Sequence, residues 1–167
     1  MALPVWVVDT SALIEIKSFV PRLRRAHVFT AFTAMVAAGR LRFPVQVVHE
    51  LKRDVEGHPP DQACTWALSV ETAACNVAAS YEEVKAVLAV VPDVLDSMKE
   101  SGVDEADPYV LALAVRLHAE GHDARVVVQE TKDTPKKLSL NTACGMLGIP
   151  SVPLLGLLRA EGISTEA

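Results

Sequence analysis

Two short runs constrain this chain more than anything else in it: VWVV at residues 5–8 and VVV at 126–128. Both are β-branched or aromatic without polar alternation, so both faces of each strand must be covered. That is the pattern of central strands in a parallel sheet, where crossover helices lie on the two faces. Both runs also end next to an acid. Asp9 follows Val8 directly, and Glu130 follows Val128 after one residue.

The rest of the chain alternates as such a sheet requires. A helix is expected at Ser11–Lys17, and Pro21 restarts the chain into RLRRAHVFTAFTAMVAAGR, which Gly39 ends. LRFPVQVV carries a short second strand with Pro44 at its exit, and a helix beginning near Val47 carries HELKRDVEG. GHPP is a loop, residues 61–100 read as helices ending in SYEEVKAVLAVVPDVLDSMKE, and ESGVDEADP is a loop. PYVLALAVRLHAEG is a helix with Pro108 in its first turn and Gly121 at its end; being apolar nearly all round until Arg116, it is expected against the sheet. ARVVVQE is the third strand. NTACGMLGIPSV adds a helix and a last short strand, and PLLGLLRAEG closes the chain. The expected fold is α/β: one domain, three-layered, with a central parallel sheet.

Composition narrows the function. With 167 residues, half of them apolar, the chain can build one full core. It has no apolar run near the ~18–20 residues of a membrane span, and no basic residues precede its first apolar run as in a signal peptide. Cys64, Cys75 and Cys144 lie far apart with no C-x-x-C pair, as expected of packed, reduced thiols in a cytoplasmic protein. A net charge of −5 argues against a protein held on nucleic acid by overall positive charge. An acidic site balanced by metal ions is compatible with that charge.

Acids from distant parts of the sequence fall where such a site would form. Ligands of open α/β sheets bind outside the carboxyl ends of the strands. Asp9 and Glu130 sit there, Glu50 follows the second strand, and Asp107 stands directly before Pro108 with Asp104 one turn ahead. Two carboxylates ~4 Å apart repel by about 4 kcal/mol at an effective dielectric near 20. A gathering of them must protonate, splay or bind a cation. Oxygen-only ligands favour Mg²⁺ or Mn²⁺, ions suited to phosphoryl chemistry. Thr10 and Ser11, next to Asp9, are placed to orient its carboxylate. Taken singly, each acid has a plainer role. Asp9 can cap the following helix, Glu50 can sit in a first turn, Asp107 is a suitable N-cap, and Glu130 can pair with Lys132. The pattern across them is what points to a site.

Other motifs fail. HELKR at 49–53 has Arg53 where a zinc-protease helix needs its second His. His118 and His122 are separated by the helix end at Gly121, and no glycine-rich phosphate loop occurs.

VVDTSALI, the later HEL, the DEADPYVLALA helix and VVVQETKDTPKKLSLNTACGMLGI together resemble the PIN-domain proteins, and among them the VapC-type toxins and relatives with an extended carboxyl end. The likeness runs from about Leu3 to Leu158. It implies a PIN-like fold and Mg²⁺- or Mn²⁺-dependent cleavage of RNA, with Asp9, Glu50 at the start of its helix, Asp107 and Glu130 as metal ligands. It also implies a small antitoxin partner and a homodimer. One departure stands out: Val128 replaces the Thr that precedes the family's fourth acid, and Asp133 is a possible substitute for Glu130. For RNA contact the basic candidates are Arg22, Arg24 and Arg25, Lys52 and Arg53, Lys132, and above all Lys136 and Lys137. Aromatic residues make up only 5% of the chain, so substrate choice is expected to rest on shape and backbone contacts. Two rival readings are a receiver-type signalling domain and a PIN-like interaction module that has lost activity. The second would use VPLLGLLRAEG or the Ala-rich helix at Thr30–Ala38 as a partner surface.

Overall fold

The computed structural model describes residues 2–95, 105–129, 133–135 and 137–166. Asp104, Glu130, Lys132 and Lys136, named above, lie outside the described residues.

The described residues form a four-stranded sheet of order β2-β1-β3-β4, parallel throughout. Its strands are β1 (Val5–Val8), β2 (Leu41–Arg42), β3 (Ala124–Val127) and β4 (Ser151–Val152). All four residues of β1 are buried, as the unbroken apolar run requires. The register pairs Val7 with Arg42 on one side and Val8 with Val127 on the other. Between β1 and β2 run α1 (Thr10–Ile14), α2 (Ile16–Phe19) and α3 (Arg22–Ala37). Between β2 and β3 come α4 (Val45–Asp54), α5 (Gln62–Ala74), α6 (Tyr81–Val90) and α7 (Asp107–Ala119). Then α8 (Leu140–Met146) precedes β4, and α9 (Leu154–Ala160) follows it. Helices flank the sheet to give the expected three-layer α/β/α fold. The chain steps from β1 outward to β2 and later returns to β3 on the far side of β1, so the reversal of strand order lies at the carboxyl ends of β1 and β3.

The core explains the helix faces. Val110, Leu111, Leu113 and Ala114 of α7 are buried, and the helix packs on β1 and β3. Phe29, Phe32, Phe43 and Trp66 form an aromatic cluster where α3 meets α5, with ring centroids 5.4–6.4 Å apart. The Trp66 indole N–H is satisfied there by Thr33 Oγ1 at 3.0 Å.

Three expectations need correction. The second strand stops at Arg42, and α4 starts at Val45 rather than near Val47. Val47, Val48 and Leu51 recur at helical spacing and bury one face, so the period of 3.6 prevails once Pro44 has ended the strand. The helix expected at Ser11–Lys17 is two short ones broken at Glu15. PLLGLLRAEG is no free partner surface: Leu154, Leu157 and Leu158 are buried, and Glu161 accepts from the Trp6 indole at 2.9 Å and pairs with Arg40. The three cysteines are free thiols, Cys64 and Cys144 being buried. Among the described residues no helix is long and apolar enough to cross a membrane.

Candidate functional site

Asp9 continues β1 by one residue, its N–H bonded to Val127 O at 2.9 Å, and then caps α1. The capping oxygen is Oδ2, which accepts from the Ser11 N–H at 3.2 Å and the Ser11 hydroxyl at 2.7 Å. Ser11 Oγ in turn accepts the Gln129 N–H at 3.0 Å, so one hydroxyl ties the ends of β1 and β3 to the carboxylate. The expected capping role of Asp9 is therefore real, but it uses one oxygen. Oδ1 is buried with no hydrogen-bond partner. An ionised oxygen in that position calls for a proton or a cation.

The other acids come from separate elements. Glu50 stands in the sixth position of α4 rather than at its start, because the helix begins immediately after Pro44. Its Oε1 accepts from Thr10 Oγ1 at 2.5 Å and its Oε2 from the Ala106 N–H at 3.3 Å. Asp107 is the first residue of α7, not its cap, a place that Ala106 takes. Its Oδ2 instead meets the Lys137 ammonium at 2.8 Å. Lys137 is held there by the turn it closes: Thr134 N–H donates to Lys137 O at 2.9 Å, and Leu138 N–H to Asp93 O at 2.6 Å.

Asp9, Glu50 and Asp107 line one open cleft of about 410 Å³, together with Thr10, Ser11, Ile14, Arg53, Asp54 and Lys137. Burial, then the Asp107 charge and, less, the Glu50 charge push the Asp9 carboxyl up from 3.8 to about 7, against the Ser11 bonds that pull it down. The same field reaches below the cleft. Burial first, then Asp9 and Asp107, push the Cys144 thiol up to about 12, and the side chain is packed in the core as expected.

Asp133 does not replace Glu130. Its carboxylate accepts from the Ser139 N–H at 2.8 Å and the Thr142 hydroxyl at 3.0 Å, bonds that bind it to the start of α8 and hold it below the usual range. Val128 is buried and carries no hydroxyl to the cleft. Two cleft residues escaped the sequence reading. Asp54 lies four residues after Glu50 on α4, a spacing that puts both on one face and could have revealed it. Ile14 had no signal of its own.

The donor set is all oxygen, and the orphaned Asp9 Oδ1 fits a hard divalent cation. Among the described residues, however, no group of three or more His, Cys, Asp or Glu side chains is arranged to hold a metal ion. Glu50 is turned to Thr10, and Lys137 supplies the positive charge next to Asp107.

A family described as Domain of unknown function (DUF4411) matches residues 6–165. The chain belongs to that family. No curated protein matches it. The match takes in all but the first residue of the two parallel runs and every acid of the cleft in this DUF4411 chain, so the site belongs to the family's domain and not to an appendage.

Ser11 offers a direct check on the site's construction. Ser11→Ala removes the donor to Asp9 Oδ2 and the acceptor of Gln129 N–H together. It is expected to cost about 1 kcal/mol in thermal or urea unfolding. It should also raise the Asp9 pKa further, read by carboxyl NMR titration.

Proposed function

We propose that this chain is a metal-dependent endoribonuclease of the PIN type, acting as the toxin of a toxin–antitoxin pair. The single observation that carries the reading is the buried, unpartnered Asp9 Oδ1 at the sheet's switch point, on a carboxyl that feels the charges of Asp107 and Glu50. The likeness of the VVDTSALI and DEADPYVLALA motifs to PIN-domain proteins supports it.

In this reading Asp9, Glu50 and Asp107 are the residues that would hold Mg²⁺ or Mn²⁺, and the bound ion would supply Lewis-acid activation of water and of the phosphodiester. Glu130, the fourth acid expected, lies outside the described residues. Ser11 fixes Asp9, and Thr10 fixes Glu50, so the carboxylates do not have to be ordered when substrate arrives. Lys137 and Arg53, both lining the cleft, supply positive charge for the RNA backbone. No side chain acts as a nucleophile.

The test is RNA cleavage by the purified protein in Mn²⁺ or Mg²⁺, with and without chelator. Cleavage that chelation abolishes and Mn²⁺ restores is the expected result; cleavage indifferent to chelation, or none, contradicts it. A small protein encoded by an adjoining gene, binding this chain and suppressing the cleavage, is the outcome expected of the toxin role.

One observation favours a second reading, an interaction module without catalysis: Lys137 already neutralises Asp107. Absence of cleavage together with a folded, partner-binding protein would select it.

A further inference from the structure

The acid cleft does not end at Ser11 and Ile14. Both residues also line a second hollow, of about 440 Å³, whose remaining walls are Glu15, Phe19 and Gln129. Its size lies in the ~300–1,000 Å³ range of small-ligand pockets. Phe19 is 39% exposed. That is notable because Trp6, Phe29, Phe32, Phe43 and Trp66 are all buried. Tyr81, the other well-exposed aromatic, lies on α6 under the Lys85 ammonium and lines neither hollow.

The hollow has a definite chemistry. Phe19 offers an aromatic surface, Ile14 an apolar wall, and Glu15 an acceptor. Gln129 spends its Oε1 on the Leu154 N–H at 3.1 Å, which leaves its amide N–H₂ as donor. Glu15 repels phosphate. A planar, uncharged group with both donors and acceptors on its edge suits these walls.

We infer that this hollow receives one unpaired nucleobase of the RNA, stacked on Phe19, while the neighbouring phosphate lies in the acid cleft. The inference rests on the nuclease reading and specifies its substrate as single-stranded at the cut. A base inside a duplex is stacked and paired and does not reach a side hollow. Phe19 thus modifies the expectation from composition: one aromatic at the rim serves where a stacking platform of several is lacking.

The experiment compares single-stranded and duplex RNA of one sequence, cleaved in Mn²⁺ by the wild-type protein, Phe19→Ala and Phe19→Trp. A parallel measurement follows the fluorescence of 2-aminopurine placed next to the cleavage site. Stacking on one aromatic is worth enough to change binding about tenfold. Wild-type protein is expected to prefer the single strand and to quench the 2-aminopurine. Phe19→Ala should reduce that preference about tenfold and lose the quenching, and Phe19→Trp should restore both. Melting temperatures of the variants show that they are folded. If Phe19→Ala keeps the preference and the quenching while Asp9→Asn is inactive, the subsite is wrong and the nuclease stands. If the wild type cleaves no RNA, the nuclease reading falls and this inference falls with it.

Discussion

Asp9→Asn is expected to raise the stability of the metal-free protein at pH 8 while lowering metal-dependent RNA cleavage about 10²–10³-fold or more, the scale on which one charged stabiliser acts. The two effects share a cause. Asp9 is 5% exposed, Oδ1 has no partner, and Asp107 and Glu50 add repulsion. The sign follows from protons bound. The folded Asp9 pKa of about 7 lies above the ordinary 3.8, so between these values the native state holds a proton that the unfolded state has released. Its contribution to stability is therefore complete below pH 3.8, falls as pH rises towards 7, and stays lost above. Asparagine removes the charge and keeps the shape, at the cost of burying an amide N–H₂ where Oδ1 lay. The net gain is expected at about 2 kcal/mol at pH 8, shrinking toward pH 5, and is read as the difference between the two proteins' pH-dependent melting curves. A variant less stable than wild type at pH 8 would mean that Asp9 is not a strained charge.

Lys137→Ala should act in the opposite direction. The Lys137 side chain is 21% exposed and meets an Asp107 side chain that is 10% exposed, so the pair is only partly screened by solvent. Its removal leaves Asp9, Glu50 and Asp107 lining the cleft without that ammonium. The expected loss is about 2 kcal/mol at pH 8 in chelator, smaller at pH 6, where Asp9 takes up a proton. Added Mn²⁺ should recover most of it, because a divalent ion replaces the missing charge. Thermal unfolding with and without Mn²⁺ measures this. A loss unchanged by pH and by Mn²⁺ would show that Lys137 serves packing alone.

The comparison of Asp107 with Asp133 shows how far the sequence carries. The fold was legible because VWVV and VVV permit only a covered, parallel strand, and the acid after VWVV had to lie at the strand's carboxyl end. Which acids share that edge depends on where helices begin, and local signals misled there. Asp before Pro reads as an N-cap, yet α7 starts one residue earlier, and Asp107 lines the cleft. Asp133 reads as a spare ligand, yet Ser139 and Thr142 claim its carboxylate. Lys137 was legible as a basic residue near the site, but not as the ion-pair partner of Asp107. That contact is set by the turn between Thr134 and Lys137, which brings together residues thirty apart in the chain.

Calorimetric titration of the chelator-treated protein with Mn²⁺ tests the cation site most directly. The wild type should bind saturably, releasing a proton below pH 7 as Asp9 ionises, and Asp9→Asn should bind far more weakly with no such release. Equal affinity in the two proteins, or no binding by the wild type, would contradict the account.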